Sequence, residues 1–278
     1  MARIGLALHD AEPEALAEAK RISSSLGAAG HTVVAVASDV GPDSEITLVP
    51  SDEFANGLDL AISLGGDGTM LETVGMLAGS DVHILGVNFG SLGYLTVIEP
   101  AELDQAVERA LAGDYAIEER MLVSGSVEGK EFHALNDIVV ERAPGNTTVR
   151  VGVTIDAKPF TTYPADGLIV ATPTGSTAYA LSARGPIVYP THSAMLLTPV
   201  SPHMLFDRSL VLRPDSILEL TIEGHRDGVV SVDGITMHTM SPGDTITCTA
   251  SAHVARLITF DQRDNLAVLK AKLGIADR

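Results

Sequence analysis

The first hundred residues alternate between apolar runs and Ala/Leu/Glu-rich segments, and this alternation limits the possible folds more than any other feature. The runs are short and lack a polar face, as buried parallel strands do. They are Arg3–Leu8, Thr32–Ala37, Leu58–Leu64 and Val82–Val87. Helix-like segments follow them, the first from Glu12 to Ala29. Strand–helix–strand alternation predicts an α/β domain with a parallel, Rossmann-like sheet and helices on both faces.

The pattern changes after Arg120. Up to residue 260 the runs are short, rich in Val, Ile and Thr, and separated by turn pairs such as Asp227-Gly228 and Asp233-Gly234. This is an all-β pattern, interrupted by one helical piece near Thr177–Ala183. We therefore predict an α/β domain over residues 1–120, a β-rich domain over 121–260, and a helical tail over 261–278 that packs back on the N-terminal domain.

The net charge of the chain limits the classes of partner that it can bind. Its formal net charge is −18, whereas nucleic-acid binding relies on clustered Lys and Arg, and an anionic membrane would repel it. No apolar run reaches the roughly 18 residues that a transmembrane helix needs. The single cysteine, Cys248, fits a reducing compartment. We expect a cytoplasmic protein that binds neither nucleic acid nor membrane.

The strand Leu58–Leu64 leads into the loop Gly65-Gly66-Asp67-Gly68 and then into a helical segment. Thr69, with Glu72 three residues later, is typical of a capping box, so we predict that the helix begins there. The glycines then lie at the carboxyl end of a parallel strand and the amino end of a helix. Ligands bind at this place in open α/β sheets, and free N–H groups there face an anion.

Asp67 is the unexpected residue of this loop, because phosphate repels a bare carboxylate. The two are compatible if the carboxylate holds a cation or takes a proton from a nucleophile, and both roles belong to phosphoryl transfer. The alternative is that Asp67-Gly68 is only a tight turn. Neither the P-loop motif nor the G-x-G-x-x-G fingerprint occurs in the chain, so those two kinds of nucleotide site are excluded.

Two further segments carry polar groups at strand ends. The segment Gly86–Thr96 is a second transition from strand to glycine loop, expected beside the first, and its Tyr94 could stack on a base or pack between domains. Asn136 and Asp137 precede a β-branched run. They can hydrogen-bond ribose hydroxyls and an adenine edge, or they can form a turn.

The stretch Tyr163–Pro186 has a high density of hydroxyl groups. After the predicted strand Gly167–Ala171, they surround a glycine at a helix start, where they can line a site for sugar, amide or phosphate. The alternative is an ordinary Ser/Thr-rich helix entrance. The residues are Thr172, Thr174, Ser176 and Thr177 around Gly175, with Asp166 upstream and Tyr179 downstream.

Motifs for other chemistries are absent from the sequence. The nine histidines are scattered, and neither H-E-x-x-H nor C-x-x-C occurs, so we predict no fixed metal site. The G-x-S-x-G elbow of serine hydrolases is also absent.

Together these segments resemble the NAD kinase family, the ATP- or polyphosphate-dependent NAD kinases. The GGDGT segment alone is shared with lipid kinases and phosphofructokinases, whereas the added TPTGSTAY segment is much more specific. The matching pieces follow one another in order and at family-like spacing: Gly65–Thr69, Gly90–Thr96, Asn136-Asp137, Asp166-Gly167, Thr172–Ala183 and Leu197–Leu212.

The resemblance implies a C-terminal β-sandwich-like domain behind the α/β domain, and a homo-oligomer (dimer or tetramer) whose nucleotide site lies partly between subunits. It implies phosphoryl transfer from ATP or polyphosphate to the adenosine-ribose 2′-hydroxyl of NAD, giving NADP. Mg²⁺ or another divalent cation would be carried with ATP. Asp67 would be the base that activates the hydroxyl, and this role would explain its place beside phosphate.

The resemblance also implies nucleotide-binding residues. The backbone of Gly65, Gly66, Asp67 and Gly68 would hold phosphates. Asn136 and Asp137 would bind the adenosine moiety. The dinucleotide pocket would be lined by Asp166, Thr177, Ala178, Tyr179 and Ser182. Tyr94 and Thr174 are two further candidates for nucleotide binding, which rest on their side chains and positions and not on the resemblance.

Three positions depart from the family pattern. Many members have Gly-Gly where this chain has Arg184-Gly185, and some have a basic residue in place of Pro164. The acid after Asn136 is often Glu, and here it is the shorter Asp137. Two other functions remain open: a lipid kinase with the same loop, and a non-catalytic dinucleotide-binding sensor.

Overall fold

The computed structural model describes residues 1–8, 12–36, 46–90, 93–96, 98–145, 147–260 and 265–275. Residues 261–264 and 276–278 of the predicted tail therefore lie outside the described residues. The chain forms two compact units, one of residues 1–119 and 255–278 and the other of residues 120–254.

The first unit is built on a parallel sheet. Its strands, in spatial order, are β5 (His83–Asn88), β4 (Leu60–Gly65), β1 (Arg3–Leu8), β2 (Thr32–Val36) and β3 (Thr47–Val49). The last strand of the chain adds Arg256 and Leu257 beside β5, also in parallel. All six residues of β4 are buried, which explains why this strand has no polar face in the sequence.

Helices cover both faces of this sheet, as the alternation predicted. The helices are α1 (Pro13–Ala28), α2 (Asp67–Leu77) and α3 (Leu103–Ala112). Buried residues of α1 and α3 share one hydrophobic core with Leu6 and Ile62 of the sheet. The helix α2 packs on residues of the other face, since a Cβ atom at Gly86 would lie 2.8 Å from the Met70 sulfur.

The second unit contains two sheets of mostly antiparallel strands. The six-stranded sheet has the order β13 (Leu210–Leu212), β12 (Met195–Val200), β11 (Gly167–Ala171), β8 (Asp137–Arg142), β15 (Gly228–Val232) and β16 (Ile235–Met240). The other has the order β10 (Lys158–Ala165), β9 (Val149–Ile155), β14 (Leu218–Glu223) and β17 (Thr245–Thr259). A hairpin of β6 (Ala116–Val127) and β7 (Lys130–Ala134) extends this second sheet, because β6 pairs with β17.

The two sheets form a sandwich around one core. Alternate residues such as Val140 and Val170 of one sheet, and Val151 and Leu220 of the other, belong to the same buried cluster. On the opposite side of β11, Ile169 and its neighbours pack on the short helix α4 (Tyr179–Ser182). The strand β11 is therefore packed on both faces.

The described chain closes with the helix α5 (Asn265–Leu273) in the first unit. The predicted combination of an α/β domain, a β sandwich and a C-terminal helix is confirmed. Among the described residues, no helix has both the length and the hydropathy to cross a membrane.

Candidate functional site

The glycine-rich loop of the first unit connects β4 directly to α2. Gly66 is extended (φ −107°, ψ −161°), and the helix begins at Asp67. The predicted start at Thr69 with a capping box is therefore wrong: Thr69 lies within the first turn and is buried. Its side chain packs over Gly65, where a Cβ atom would come 2.1 Å from the Thr69 hydroxyl oxygen. Only glycine fits at position 65.

The Asp67 carboxylate is held from three directions. Its Oδ2 accepts the Tyr94 N–H and its Oδ1 accepts the Leu95 N–H, both at 2.9 Å. The Lys272 Nζ lies 3.0 Å from Oδ2. A carboxylate has about four acceptor positions, so three donors leave room for a hydroxyl. The Asp67 side chain remains 30% exposed, so the carboxylate is both oriented and accessible.

The second glycine loop lies beside the first, as predicted. The Phe89 N–H donates to the Gly65 carbonyl at 2.9 Å, and a Cβ atom at Gly93 would lie 2.5 Å from Asp67 Oδ1. Gly93 therefore lets the backbone approach the carboxylate closely enough to donate to it. Residues 91 and 92 of the predicted Gly90–Thr96 segment lie outside the described residues.

Tyr94 lies half-buried against the same carboxylate. Burial and the negative charge of Asp67 raise the pKa of the Tyr94 hydroxyl, so the phenol is neutral at physiological pH. The Lys272 Nζ sits 4.1 Å from the centre of the Tyr94 ring, a distance typical of a cation–π contact. One face of the ring is thus occupied by an ammonium group.

In the second unit, Asp233 organises the Asn136-Asp137 pair. Its carboxylate accepts the N–H groups of Leu135 at 2.9 Å, Asn136 at 2.8 Å and Asp137 at 3.1 Å. Asp233 has a positive φ of 47°, which a short polar side chain tolerates. Sequence reasoning treated Asp233-Gly234 only as a turn and missed this clamp.

The two predicted adenosine-binding side chains differ in environment. Asp137 is buried, and burial together with the charge of Asp233 raises the pKa of its carboxyl to about 7. Near neutral pH the Asp137 carboxyl can therefore donate or accept a hydrogen bond. Asn136 is half-buried, and within the described part of the chain its side-chain amide makes no hydrogen bond. Both groups are suited to polar recognition of a ligand.

Thr172 fastens the hydroxyl-rich loop to this pair. Its hydroxyl donates to the Leu135 carbonyl and accepts the Gly175 N–H at 3.1 Å. Its own N–H donates to the Asn136 carbonyl at 2.9 Å. A Cβ atom at Gly175 would lie 2.0 Å from that same carbonyl oxygen. The loop and the residues before β8 are thus packed in backbone contact.

The other hydroxyls of this loop also turn inward. Ser176 donates to the Pro173 carbonyl at 2.6 Å, and Thr177 donates to the Thr174 carbonyl at 3.1 Å. The Thr174 hydroxyl accepts a hydrogen bond from the fully buried Arg120 at 3.1 Å. The hydroxyl cluster therefore holds the loop itself, a role that its density in the sequence did not distinguish from ligand lining.

Asp166 and Tyr179 complete the predicted set in this unit. The Asp166 carboxylate accepts a hydrogen bond from the Arg142 guanidinium at 3.2 Å. Tyr179 is 41% exposed, and partial desolvation, followed by the charges of Glu141, Asp166 and Asp137, raises its pKa. The structure thus brings Tyr179 within electrostatic reach of both predicted acids. Ala178 is half-buried and Ser182 is exposed.

The two departures near this loop, Arg184 and Pro164, both make backbone hydrogen bonds. Arg184 is exposed with a positive φ of 65°, and its N–H donates to the Leu181 carbonyl at 2.9 Å, which ends α4. Pro164 lies within β10, where its carbonyl accepts the His203 N–H at 2.7 Å. Neither contact involves a group of the candidate site.

Family models match most of the chain. The ATP-NAD kinase N-terminal domain matches residues 4–115, and the ATP-NAD kinase C-terminal domain matches residues 135–260. The NAD kinase of Heliobacterium modesticaldum is 40% identical over 98% of this chain and 99% of its own length. The NAD kinase of Citrifermentans bemidjiense is 38% identical over 98% of this chain and 97% of its own length.

Solved structures agree with these relatives. A yeast NADH kinase in complex with NADH has a TM-score of 0.89 at 25% identity, covering 100% of this chain and 89% of that one. An NAD kinase from Archaeoglobus fulgidus in complex with ATP has a TM-score of 0.77 at 26% identity, covering 99% and 100%. The comparisons support neither the lipid kinase nor the sensor alternative. The resemblance seen in the motifs is confirmed, and the chain belongs to the NAD kinase family.

Proposed function

We propose that the protein transfers the terminal phosphoryl group of ATP to the 2′-hydroxyl of the adenosine ribose of NAD, giving NADP and ADP. The ribose oxygen forms the new bond to phosphorus, the bond from phosphorus to the bridging oxygen of ADP breaks, and the hydroxyl proton passes to Asp67. The observation that carries this proposal is the fixed and partly exposed Asp67 carboxylate at the start of α2.

Asp67 is suited to this step by its hydrogen bonds. The N–H groups of Tyr94 and Leu95 fix the plane of the carboxylate, so its free acceptor position has a defined direction. Because phosphoryl transfer requires mainly positioning and charge neutralisation, an oriented base next to an anion-binding helix start provides what the chemistry needs. The backbone of Gly65, Gly66 and Gly68 would hold the phosphates.

The second unit would supply the contacts that select NAD. Asn136 and Asp137 offer a half-buried amide and a buried carboxyl for the adenosine moiety. Further proposed contacts with the nucleotides are Tyr94, Asp166, Thr174, Thr177, Ala178, Tyr179 and Ser182. For Thr174 the contact would come from its backbone, because Arg120 already occupies its hydroxyl.

A divalent cation would enter with ATP. No cluster of three or more His, Cys, Asp or Glu side chains that could hold a metal occurs within the described ranges. Mg²⁺ usually binds through one or two protein carboxylates together with substrate phosphates, so a cation carried by ATP does not need a larger cluster of protein ligands. We further propose that the protein forms a homo-oligomer, either a dimer or a tetramer. Polyphosphate is the alternative phosphoryl donor to ATP.

One assay tests the proposed function directly. Purified protein is incubated with NAD, ATP and Mg²⁺, and NADP is read with an NADP-specific dehydrogenase, with polyphosphate replacing ATP in a parallel reaction. Loss of a general base lowers rates by about 10² or more, so Asp67→Asn should reduce kcat by that factor while NAD affinity changes little.

Asp52→Asn is the matched control, because Asp52 is an exposed acid of the same unit and its change leaves the loop intact. The base assignment fails if Asp67→Asn keeps near-wild-type turnover. The function itself fails if NAD binds and no NADP forms with either donor.

A further inference from the structure

Lys272 makes an ion pair whose position no motif explains. Its Nζ lies 3.0 Å from Asp67 Oδ2 and 4.1 Å from the centre of the Tyr94 ring. The lysine belongs to α5, beyond the residues that either family model matches. It is 205 positions away from Asp67 in the sequence.

The geometry of this lysine leaves part of its binding capacity unused. An ammonium group has three N–H donors and no acceptor. One N–H points to Asp67 Oδ2, and the face of the Tyr94 ring takes a second side of the charge. The Lys272 side chain is 24% exposed, so the remaining side of the ammonium can meet a ligand.

The charge balance of the loop favours such a cation. Phosphate that binds at the start of α2 meets the Asp67 carboxylate, and two like charges at this range repel each other. Three of the described arginines of the same unit are engaged elsewhere: Arg21 pairs with Asp104, Arg109 with Asp114 and Arg256 with Asp81. The positive charge in contact with Asp67 comes from Lys272.

We infer that Lys272 is a phosphate-binding residue of the ATP site, which holds Asp67 on one side and the terminal phosphate of ATP on the other. The inference rests on the proposed function, in which that phosphate lies at the same loop. The ammonium reduces the repulsion between base and donor and sets their separation. The C-terminal helix thereby becomes part of the ATP site.

Equilibrium binding tests this role without turnover. MgATP and NAD are titrated separately into full-length wild type, Lys272→Met and Lys272→Arg, by calorimetry. A charge-assisted hydrogen bond contributes enough that Lys272→Met should weaken ATP binding about tenfold or more, with NAD affinity unchanged. Lys272→Arg keeps a positive charge that can lie over the Tyr94 ring, so it should lose less ATP affinity than Lys272→Met. Methionine is a good helix former, so α5 should persist.

Lys20→Met is the matched control, since it removes one exposed lysine from another helix of the same unit. Its ATP affinity should equal that of the wild type. Unchanged ATP binding by Lys272→Met overturns the inference. An equal loss of ATP affinity in Lys20→Met also overturns it, because the effect would then come from net charge. An equal loss of NAD affinity would indicate damage to the fold, and an equal loss of ATP affinity in Lys272→Arg would indicate dependence on side-chain shape; both outcomes overturn the inference as well.

Steady-state kinetics provide a second test of the role of Lys272. Lys272→Met should raise the KM for ATP, leave the KM for NAD unchanged and lower kcat. A wild type that binds ATP yet forms no NADP overturns the proposed function, while the binding titrations still decide the role of Lys272.

Discussion

The loop Gly65–Thr69 of the first unit and the loop Thr172–Thr177 of the second both lead from a fully buried strand into a helix, and both place hydroxyl side chains around glycine. In the first loop, the Asp67 carboxylate is held by groups from distant parts of the chain, and the Thr69 hydroxyl is buried without a hydrogen-bond partner among the described residues. In the second, the Thr172 hydroxyl is fully paired with backbone groups: it donates to the Leu135 carbonyl and accepts the Gly175 N–H.

The difference shows that two loops of similar local sequence can have different roles. The first loop keeps a charged group oriented and reachable, whereas the second uses its hydroxyls to make a rigid platform beside Asn136 and Asp137. A carboxylate cannot donate hydrogen bonds to backbone carbonyls, while a hydroxyl can. In these two loops, backbone N–H groups orient the Asp67 carboxylate, whereas the Thr172 and Ser176 hydroxyls donate to backbone carbonyls.

The largest expected effect separates the glycines of the two loops. Gly175→Ala places a Cβ atom 2.0 Å from the Asn136 carbonyl oxygen, which belongs to the backbone and cannot move aside cheaply. We expect the free energy of unfolding to fall by about 3 kcal/mol, at the upper end of overpacking costs. Urea denaturation measures it. Gly68→Ala is the control, because its Cβ would meet nothing within 4 Å; equal losses in both variants would contradict the contrast.

The next effect separates the carboxyl groups of Asp137 and Asp166, and it depends on pH. Because the pKa of Asp137 is raised from 3.8 to about 7 in the folded protein, the folded state binds more protons than the unfolded state between these values. On this account the contribution of Asp137 to stability is fully present below about pH 4 and is lost as the pH rises from there through about 7. Stability curves of wild type and Asp137→Asn, from pH 4 to 8, measure the difference.

The Asp137→Asn variant should lose this slope, since an amide does not titrate. Asp166→Asn is the control, because Asp166 is partly exposed and paired with Arg142, and it should keep the wild-type slope. A wild-type slope in Asp137→Asn would show that another group titrates in this window.

The smallest effect compares two buried threonines. Thr172→Val removes a hydroxyl that donates to the Leu135 carbonyl and accepts the Gly175 N–H, leaving both groups unpaired, and should cost about 1–2 kcal/mol. Thr69→Val removes a hydroxyl with no partner in the described structure and should be neutral or stabilising by up to about 1 kcal/mol. Thermal and urea unfolding measure both, and a loss in Thr69→Val as large as that in Thr172→Val would refute the contrast.

Sequence reasoning located the candidate loops because each lies at the end of a buried strand. It misplaced the start of α2 because Thr69 and Glu72 fit a capping box, while the space over Gly65 that draws the Thr69 side chain inward is a matter of packing. It left open whether the hydroxyls around Gly175 line a ligand site or form a helix entrance, since local composition does not show which way a hydroxyl points.

The sequence by itself determined the alternation of strands and helices, the change to a β-rich pattern after Arg120, and the family motifs, because periodicity and glycine positions are local properties of the chain. The tertiary structure alone decided which distant groups meet. Lys272 reaches Asp67 across 205 positions, Asp233 clamps Asn136 across 97, and Arg120 meets Thr174 across 54. The packing of helices and strands determines which charged and hydrogen-bonding groups meet. A local sequence pattern contains no information about contacts between residues so far apart in the chain.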